Sequence, residues 1–414
     1  MNLLDDLQYR GLIKDITDLD GLAERLKKPI TLYCGFDPTA DSMHVGHLQQ
    51  MMLLRRYQQA GHKIIVLCGG GTGMIGDPRP TTERTLLTSE QIDENVASLK
   101  KQFARFIEFG DNAILLNNYD WLSKFNIIDF LRDFGKYFSV SYMLNKDVVS
   151  SRLETGISYT EFSYMILQSM DWLHLYQNYN CELQIGGSDQ WGNLTAGSEL
   201  IRKIVGDKAK TFGVTSALIT KSDGSKFGKS ESGNIWLDAT KTTPYEFYQF
   251  WLNVTDGDVI NFLKKLTFKT KVEIDELAKL VEIEPHKRAA QVALADEITK
   301  FTHGQAGLDS AKRISETLFG GDFTQLNEQE LEMALKGMSE YSIYSDYNLV
   351  DLLVEANIVS SKREAREFIK NNSISVNGIK INDTDYLVSQ KTSLYNRFNI
   401  IRRGKKSYTV ITYK

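Results

Sequence analysis

The chain reads as an α/β protein: a parallel sheet wrapped by helices comes first, then an α-helical domain and a small α+β domain. Three observations predict this. Between Lys28 and Ile219 short apolar runs alternate with stretches of helical periodicity. From Thr243 to Phe319 the strand signal fades and helical stretches dominate. From Leu349 onward two short helices precede paired β segments. The boundaries that follow are 1–220 for a Rossmann-like domain, 221–324 for a lysine-bearing loop and the helical domain, 325–346 for a linker, and 347–414 for the terminal domain.

In order, Pro29 to Phe36 is a strand, Gly46 to Ala60 a helix, and Lys63 to Cys68 a strand ending in Gly69-Gly70-Gly71. Thr88 and Gln91 stand at capping-box spacing before a helix with Val96, Leu99, Phe103 and Phe106 on one face. Ala113 to Leu116 is a short strand, Phe162 to Tyr176 a helix, Glu182 to Ile185 a strand, Asp189 to Val205 a helix and Val214 to Ile219 a strand. Helices are expected at Pro244 to Leu252, Asp256 to Leu266 and Pro285 to Phe301. After Gly320-Gly321-Asp322, the polar stretch Gln325 to Asp346 reads as a linker of modest order. Leu349 to Ala356 and Ser361 to Ile369 are helices, the second with Ser361 and Glu364 at capping-box spacing. Asn377-Gly378 favours a tight hairpin, and strands follow at Phe398 to Arg402 and Tyr408 to Thr412.

Composition narrows the classes of function. The 414 residues carry 25% charged and 42% hydrophobic side chains, an ordinary globular balance. No run of 18 apolar residues occurs, and the start Met1-Asn2-Leu3-Leu4-Asp5-Asp6 lacks a signal-peptide pattern, so a soluble cytoplasmic protein with no membrane partner is expected. Cys34, Cys68 and Cys181 are an odd number without Cys-x-x-Cys spacing, which points away from a disulfide framework or zinc site. Residues 347–414 hold 12 Lys/Arg against 6 Asp/Glu, a balance of +6, which leaves −10 on the preceding 346 residues given −4 overall. A basic tail on an acidic body suggests a polyanionic partner.

Two motifs carry the chemistry. His44-Val45-Gly46-His47 follows the first apolar strand, and Lys226-Phe227-Gly228-Lys229-Ser230 lies some 180 residues downstream. At this composition His-x-Gly-His is expected by chance on the order of 0.006 times. A helix start at Gly46 offers free amides and a positive dipole end to phosphate, and His44 adds donors. Lys226 and Lys229 would balance charge growing on a leaving pyrophosphate. Gly46 leaves room for a nucleotide base. Adenylation of a carboxylate fits, since it needs positioning and neutralisation and no enzymic nucleophile. Mg²⁺ is expected to arrive with ATP, with no metal site in the protein and no tightly bound cofactor. Gly69-Gly70-Gly71, Asp77 and Gly186-Gly187-Ser188-Asp189-Gln190 fall after strands, where α/β sheets bind ligands. Lys362, Arg363, Arg366 and Lys370 share the second terminal helix, several on one face.

These motifs resemble the HIGH and KMSKS signatures of class I aminoacyl-tRNA synthetases. Tyr33-Cys34-Gly35-Phe36-Asp37-Pro38-Thr39, Thr160-Glu161-Phe162-Ser163-Tyr164-Met165, Gln168, Asp171 and the run Gln184 to Asn193 are similar to the bacterial tyrosyl-tRNA synthetase family. The resemblance spans essentially the whole chain, and its tail is similar to a small RNA-binding domain of the ribosomal small-subunit protein type. It implies tyrosine activation with ATP and transfer to tRNA(Tyr), by a homodimer in protein synthesis. By the same resemblance Tyr33 and Asp171 read the phenolic hydroxyl; Asp77, Tyr164 and Gln168 hold the α-ammonium; Gln184 and Gln190 lie near the carboxylate. Thr39 and His44 contact the leaving phosphates, Cys34 and Asp189 the ribose, and His47 the nucleotide. Gly35, Asp37, Gly46, Gly187 and Ser230 complete the ATP site, and Lys226 and Lys229 ride a loop that closes over it. Lys362, Arg363, Arg366, Lys370, Arg402 and Arg403 are the expected tRNA contacts.

The chain departs from the family after Gly76-Asp77-Pro78. Many relatives carry a lysine there; this chain reads Arg79-Pro80-Thr81-Thr82-Glu83-Arg84 and is one residue shorter. Arg84, with Arg79 as the second candidate, is expected to supply the charge. The alternatives are a tryptophanyl-tRNA synthetase, another nucleotidyltransferase with His-x-Gly-His, or a noncatalytic RNA-binding translation or splicing factor.

Overall fold

Strand β2 (Thr31–Phe36) lies at the middle of a six-stranded sheet with β1 (Asp15–Ile16), β3 (Lys63–Cys68), β4 (Ala113–Asn117), β5 (Cys181–Gly187) and β6 (Phe212–Ser216). This computed structural model describes every residue except Met1, Pro80, Thr81, Glu83, Thr155, 221–226, Gly228, Glu231, Ser232, Gly321, Lys405 and Lys406; the side chains of Asp147, Val148, Lys229 and Ser230 are also outside the described set. The strand order is β1-β6-β5-β2-β3-β4, all neighbours parallel except the short β1 against β6. The chain winds outward through β2, β3 and β4, then returns to build β5 and β6 on the other side. The β2–β5 seam is therefore the switch point, where a crevice opens beyond the strand ends. Register across it sets Tyr33 beside Gln184 on one side and Ile65 on the other.

Four helices serve the sheet. Helix α1 (Val45–Gln59) starts at His44 as its N-cap. Helix α2 (Ser89–Phe106) has the capping box expected from Thr88 and Gln91 and buries Ile92, Val96, Leu99, Phe103 and Phe106. Helix α3 (Tyr159–Tyr179) is capped by the Ser158 side chain and stopped by Asn180 in the left-handed region (φ 52°). Helix α4 (Trp191–Val205) ends at Gly206 with φ 108°. Tyr33, Ile65, Leu67, Trp172, Cys181 and Leu194 close the core between β-strands and helices. All three cysteines are buried and unpaired to one another.

The chain divides into two compact units, 1–242 with 251–302, and 243–250 with 303–414. The first also contains Asp256–Leu266 and Lys271–Ile283. The latter helix gives little sequence signal because Ile274 alone is buried along it, yet Thr270 and Glu273 form a complete capping box. The helix expected at Pro285 to Phe301 starts as a single turn, Pro285–Lys287, then runs from Ala289 to Gly320 with a break at Gly304 (φ 73°). In the second unit Ile379–Lys380, Ile374–Val376, Phe398–Arg403, Ser407–Tyr413 and Ser339–Ile343 form a sheet in that order. Asn377 (φ 51°) and Gly378 (φ 89°) make the expected two-residue hairpin turn.

Residues 325–346 correct the expectation of a loosely ordered linker. They hold the helix Glu328–Leu335 and the strand Ser339–Ile343, and Leu326, Leu331, Ala334 and Leu335 are buried with Phe323 and Ile400. Of the glutamates that made the segment look polar, Glu328 and Glu332 are exposed, while the buried Glu330 caps the helix through Asn327. At Ser361 the capping box is half made: Ser361 accepts from the Glu364 amide, but the Glu364 carboxylate turns to Ser360.

Candidate active site

A cavity of about 480 Å³ opens where β2 and β5 end. Tyr33, Cys34, Gly35, Asp37, Thr39, His44, Gly46, His47, Asp77, Tyr164, Gln168, Asp171, Gln184, Gly187, Asp189 and Gln190 all line it. Every described residue of the expected amino-acid, nucleotide and histidine sets is thus brought to one place. Lys226 lies outside the described residues, as do the Lys229 and Ser230 side chains.

Helix α3 supplies one wall. Glu161, Tyr164, Gln168 and Asp171 recur at intervals of three and four and so share a face. At its inner end the buried Asp171 accepts from Asn118 Nδ2 (2.9 Å) and Trp121 Nε1 (2.8 Å). Burial nevertheless pushes its carboxyl up to about 8. The Tyr33 hydroxyl lies buried with no protein partner, as do Gln168 Oε1 and Gln184 Oε1. Three buried polar atoms without partners around one cavity are what a polar ligand would satisfy.

A buried chain of hydrogen bonds continues from there. Asn118 Nδ2 also donates to Thr72 Oγ1 (2.8 Å), Thr72 donates to Asp37 (2.7 Å), and the Tyr164 hydroxyl donates to the other Asp37 oxygen (2.8 Å). Asp77 accepts from Gln190 (2.8 Å) and Asn193 (3.1 Å), and burial raises it to about 6. Asn118, Trp121 and Thr72 were not picked out from sequence. Only the position of Asn118 just after β4, at a strand's carboxyl end, could have marked it.

The two histidines cap α1 reciprocally. Gly46 N–H donates to His44 Nδ1 (3.0 Å) and His44 N–H to His47 Nδ1 (3.2 Å), which leaves Nε2 as the N–H donor on each neutral ring. Burial and the neighbouring His44 hold His47 down at about 3, so it stays neutral. A Cβ on Gly46 would stand 2.7 Å from His44 Cε1. The glycine thus makes room for the histidine ring itself, a reason additional to the expected approach of a base. A Cβ on Gly35 would meet nothing within 4 Å, which leaves the β2 backbone open to the cavity.

The second motif is tied to the first through its flanks. The backbone of Lys229–Ser230 pairs with Gly233–Asn234, and the next residues bond the histidine turn: Val45 N–H to Ile235 O (3.0 Å) and Leu237 N–H to Met43 O (2.9 Å). Phe227 lines the cavity and packs its ring on Phe262 (4.3 Å) and Trp251 (5.3 Å). Arg79 and Arg84 line the cavity as well, with Arg84 Nε donating to Asp77 O (2.8 Å).

In the second unit Lys362, Arg363, Arg366 and Lys370 are exposed on the helix Lys362–Lys370, opposite the buried Ala365 and Ile369. Lys362 pairs with Asp351 at 2.8 Å. Arg402 and Arg403 are half-buried on a strand, and Arg403 Nη1 is bonded to the Ile358 carbonyl.

A family profile described as tRNA synthetases class I (W and Y) matches residues 24–320. The chain belongs to this family. A second profile, the tyrosine--tRNA ligase SYY-like C-terminal domain, matches residues 330–411. The tyrosine--tRNA ligase of Staphylococcus carnosus is 53% identical over 417 residues, covering 100% of this chain and 99% of the relative. Tyrosine--tRNA ligase 1 of Bacillus cereus is 55% identical over 419 residues, with 100% of each covered. Among solved structures, a C-terminally truncated mitochondrial tyrosyl-tRNA synthetase of Aspergillus nidulans superposes with a TM-score of 0.68 at 33% identity, over 77% of this chain and 94% of that one. The resemblance read from His44 to Ser230 is therefore borne out, and this synthetase has the Rossmann-like α/β fold expected of a class I enzyme. No helix among its described residues is long and apolar enough to cross a membrane.

Proposed function

We propose that this synthetase activates L-tyrosine with ATP and transfers it to tRNA(Tyr), in the cytoplasm. The observation that carries the reading is the inner end of the cavity, where the Asp171 carboxylate and the partnerless Tyr33 hydroxyl are buried together. A phenol donating to Asp171 and accepting from Tyr33 satisfies both; phenylalanine leaves the Tyr33 hydroxyl unpaired and gives Asp171 no donor beyond Asn118 and Trp121. Loss of such bonds discriminates by roughly 10⁵, a figure that the tyrosyl enzyme itself supplies as the standard example.

In this reading Asp77, Tyr164 and Gln168 hold the ammonium, and Gln184 and Gln190 orient the carboxylate. One carboxylate oxygen attacks the α-phosphorus, the bond to the bridging oxygen breaks, and pyrophosphate leaves. Cys34, Gly35, Asp37, Gly187 and Asp189 cradle the adenosine. Thr39 and the Nε2–H groups of His44 and His47 donate toward the phosphates, joined by Lys226, Lys229, Ser230 and Arg84. Among the described residues no three His, Cys, Asp or Glu are grouped to hold a metal ion; Mg²⁺ would ride on the triphosphate and neutralise it there. The ribose hydroxyl at the tRNA end then attacks the tyrosyl carbonyl, and AMP leaves.

The functional division follows the sequence: 1–220 for activation, 221–324 for the closing loop and anticodon-side helices, and 347–414 for RNA. Lys362, Arg363, Arg366, Lys370, Arg402 and Arg403 are the RNA contacts. A homodimer is supported by the exposed apolar surface of Ile127 (71%), Ile128 (64%), Leu131 and Val140; sedimentation that finds only monomer at micromolar concentration would remove it. The deciding experiment is ATP–pyrophosphate exchange with each of the twenty amino acids. Exchange with tyrosine alone is expected, and exchange with another amino acid, or with none, overturns the reading.

A further inference from the structure

The pair Arg152–Glu161 stands apart from the contacts assigned above. Both side chains are buried, 4% and 1% exposed, and Arg152 Nη1 lies 3.1 Å from Glu161 Oε2. Neither lines the cavity. Their remaining bonds go to the segment that departs from the family pattern. Arg152 Nη1 reaches the carbonyls of Arg79 (2.9 Å) and Thr82 (3.2 Å), and Glu161 Oε1 accepts the Arg84 N–H (2.7 Å). Arg152 Nε is fixed on Gly156 O (3.0 Å). Gly76 (φ 82°) completes the packing: a Cβ there would lie 2.8 Å from Arg84 Cγ.

We propose that Arg152 and Glu161 form a buried clamp that positions Arg79 and Arg84 on the wall of the cavity, from which they serve the phosphates of ATP. The inference rests on the activation reading above. An ion pair so buried is weak evidence for stability as such, since desolvation offsets its attraction. Its use here is directional: the Arg84 N–H is tied to Glu161 in the first turn of α3, the helix that also carries Tyr164, Gln168 and Asp171, and the Arg79 and Thr82 carbonyls are tied to Arg152, which Glu161 holds. The clamp thereby fixes two arginines relative to the amino-acid pocket. The Asp77 side chain has its own anchors, Gln190 and Asn193. The Asp77 carboxylate is therefore held by groups outside the clamp, and Arg84 meets Asp77 at the backbone carbonyl instead.

That separation gives the test. Glu161→Gln keeps size and an acceptor for the Arg84 amide but removes the charge facing Arg152. In tyrosine-dependent pyrophosphate exchange, kcat/KM for ATP is expected to fall about 10- to 100-fold, the scale of an ångström misplacement, while tyrosine Kd by equilibrium dialysis moves less than about twofold. The discriminating arm is the combined variant: on an Arg79→Ala, Arg84→Ala background, Glu161→Gln should cost little more, because the clamp acts through these two arginines. Full additivity, or a tyrosine Kd that weakens in parallel with the ATP step, overturns the clamp. Arg152→Lys, which keeps the charge and loses the forked geometry, is read the same way should Glu161→Gln not fold. A wild-type protein without tyrosine-dependent exchange overturns the activation reading and the clamp with it; an active wild type with an indifferent Glu161→Gln overturns the clamp alone.

Discussion

Asp171 at about 8 and Asp77 at about 6 are both raised by burial, against hydrogen bonds that pull the other way. A raised carboxyl holds a proton in the folded state that the unfolded chain has released. Free of ligand, the protein therefore loses stability as pH climbs from the ordinary carboxylate range through about 8. Substrate reverses the balance, since a phenol donor and an ammonium both favour the ionised carboxyls. Tyrosine binding should accordingly tighten as pH rises from 5 through about 8, about tenfold per group fully titrated in a unit of pH; a dissociation constant flat from pH 5 to 9 would falsify the assignment. Tyr33→Phe removes a buried hydroxyl that has no protein partner. The melting temperature should hold or rise, because such a group costs about 1–3 kcal/mol, while discrimination against phenylalanine in exchange assays drops roughly tenfold. Tyr33, Asp77 and Asp171 were expected at the site through the family resemblance, and the fold brings all three to the cavity wall. Asn118 and Trp121 were not: an asparagine and a tryptophan beyond a strand have no periodic or chemical signature until the fold turns them toward Asp171.

Elements with strong periodicity or explicit caps were readable, as α2 and the Asn377-Gly378 hairpin illustrate. Those that failed had their information elsewhere. Lys271–Ile283 buries a single residue, and the strand Ser339–Ile343 owes its existence to pairing with Ser407–Tyr413, some 70 residues on. The helix Glu328–Leu335 is testable at this scale. Leu331 is fully buried, so Leu331→Ala should lower unfolding stability by about 2–5 kcal/mol in a denaturant titration. A change under about 0.5 kcal/mol is what a surface linker would give, and would sink the packed assignment.

For the whole molecule, the acidic body and basic tail read from sequence translate into a testable salt dependence. Arg363, Arg366 and Lys370 are exposed on one helix, and among the described residues they make no ion pair. Changing all three to glutamine should weaken tRNA binding at every salt concentration and flatten the log–log salt slope by about three, one for each phosphate no longer neutralised. Exchange in the absence of tRNA serves as the control, and an unchanged slope would move the RNA face elsewhere. The order of strands has a consequence for how the chain is made. β2 and β5 are neighbours but some 150 residues apart in sequence. During synthesis β2, β3 and β4 emerge long before β5, so one edge of β2 stays open until the second half arrives. The crevice at the β2–β5 seam therefore waits on the second half of the sheet, and a ribosome stalled near residue 150 would display an unpaired apolar strand to chaperones or to other nascent copies.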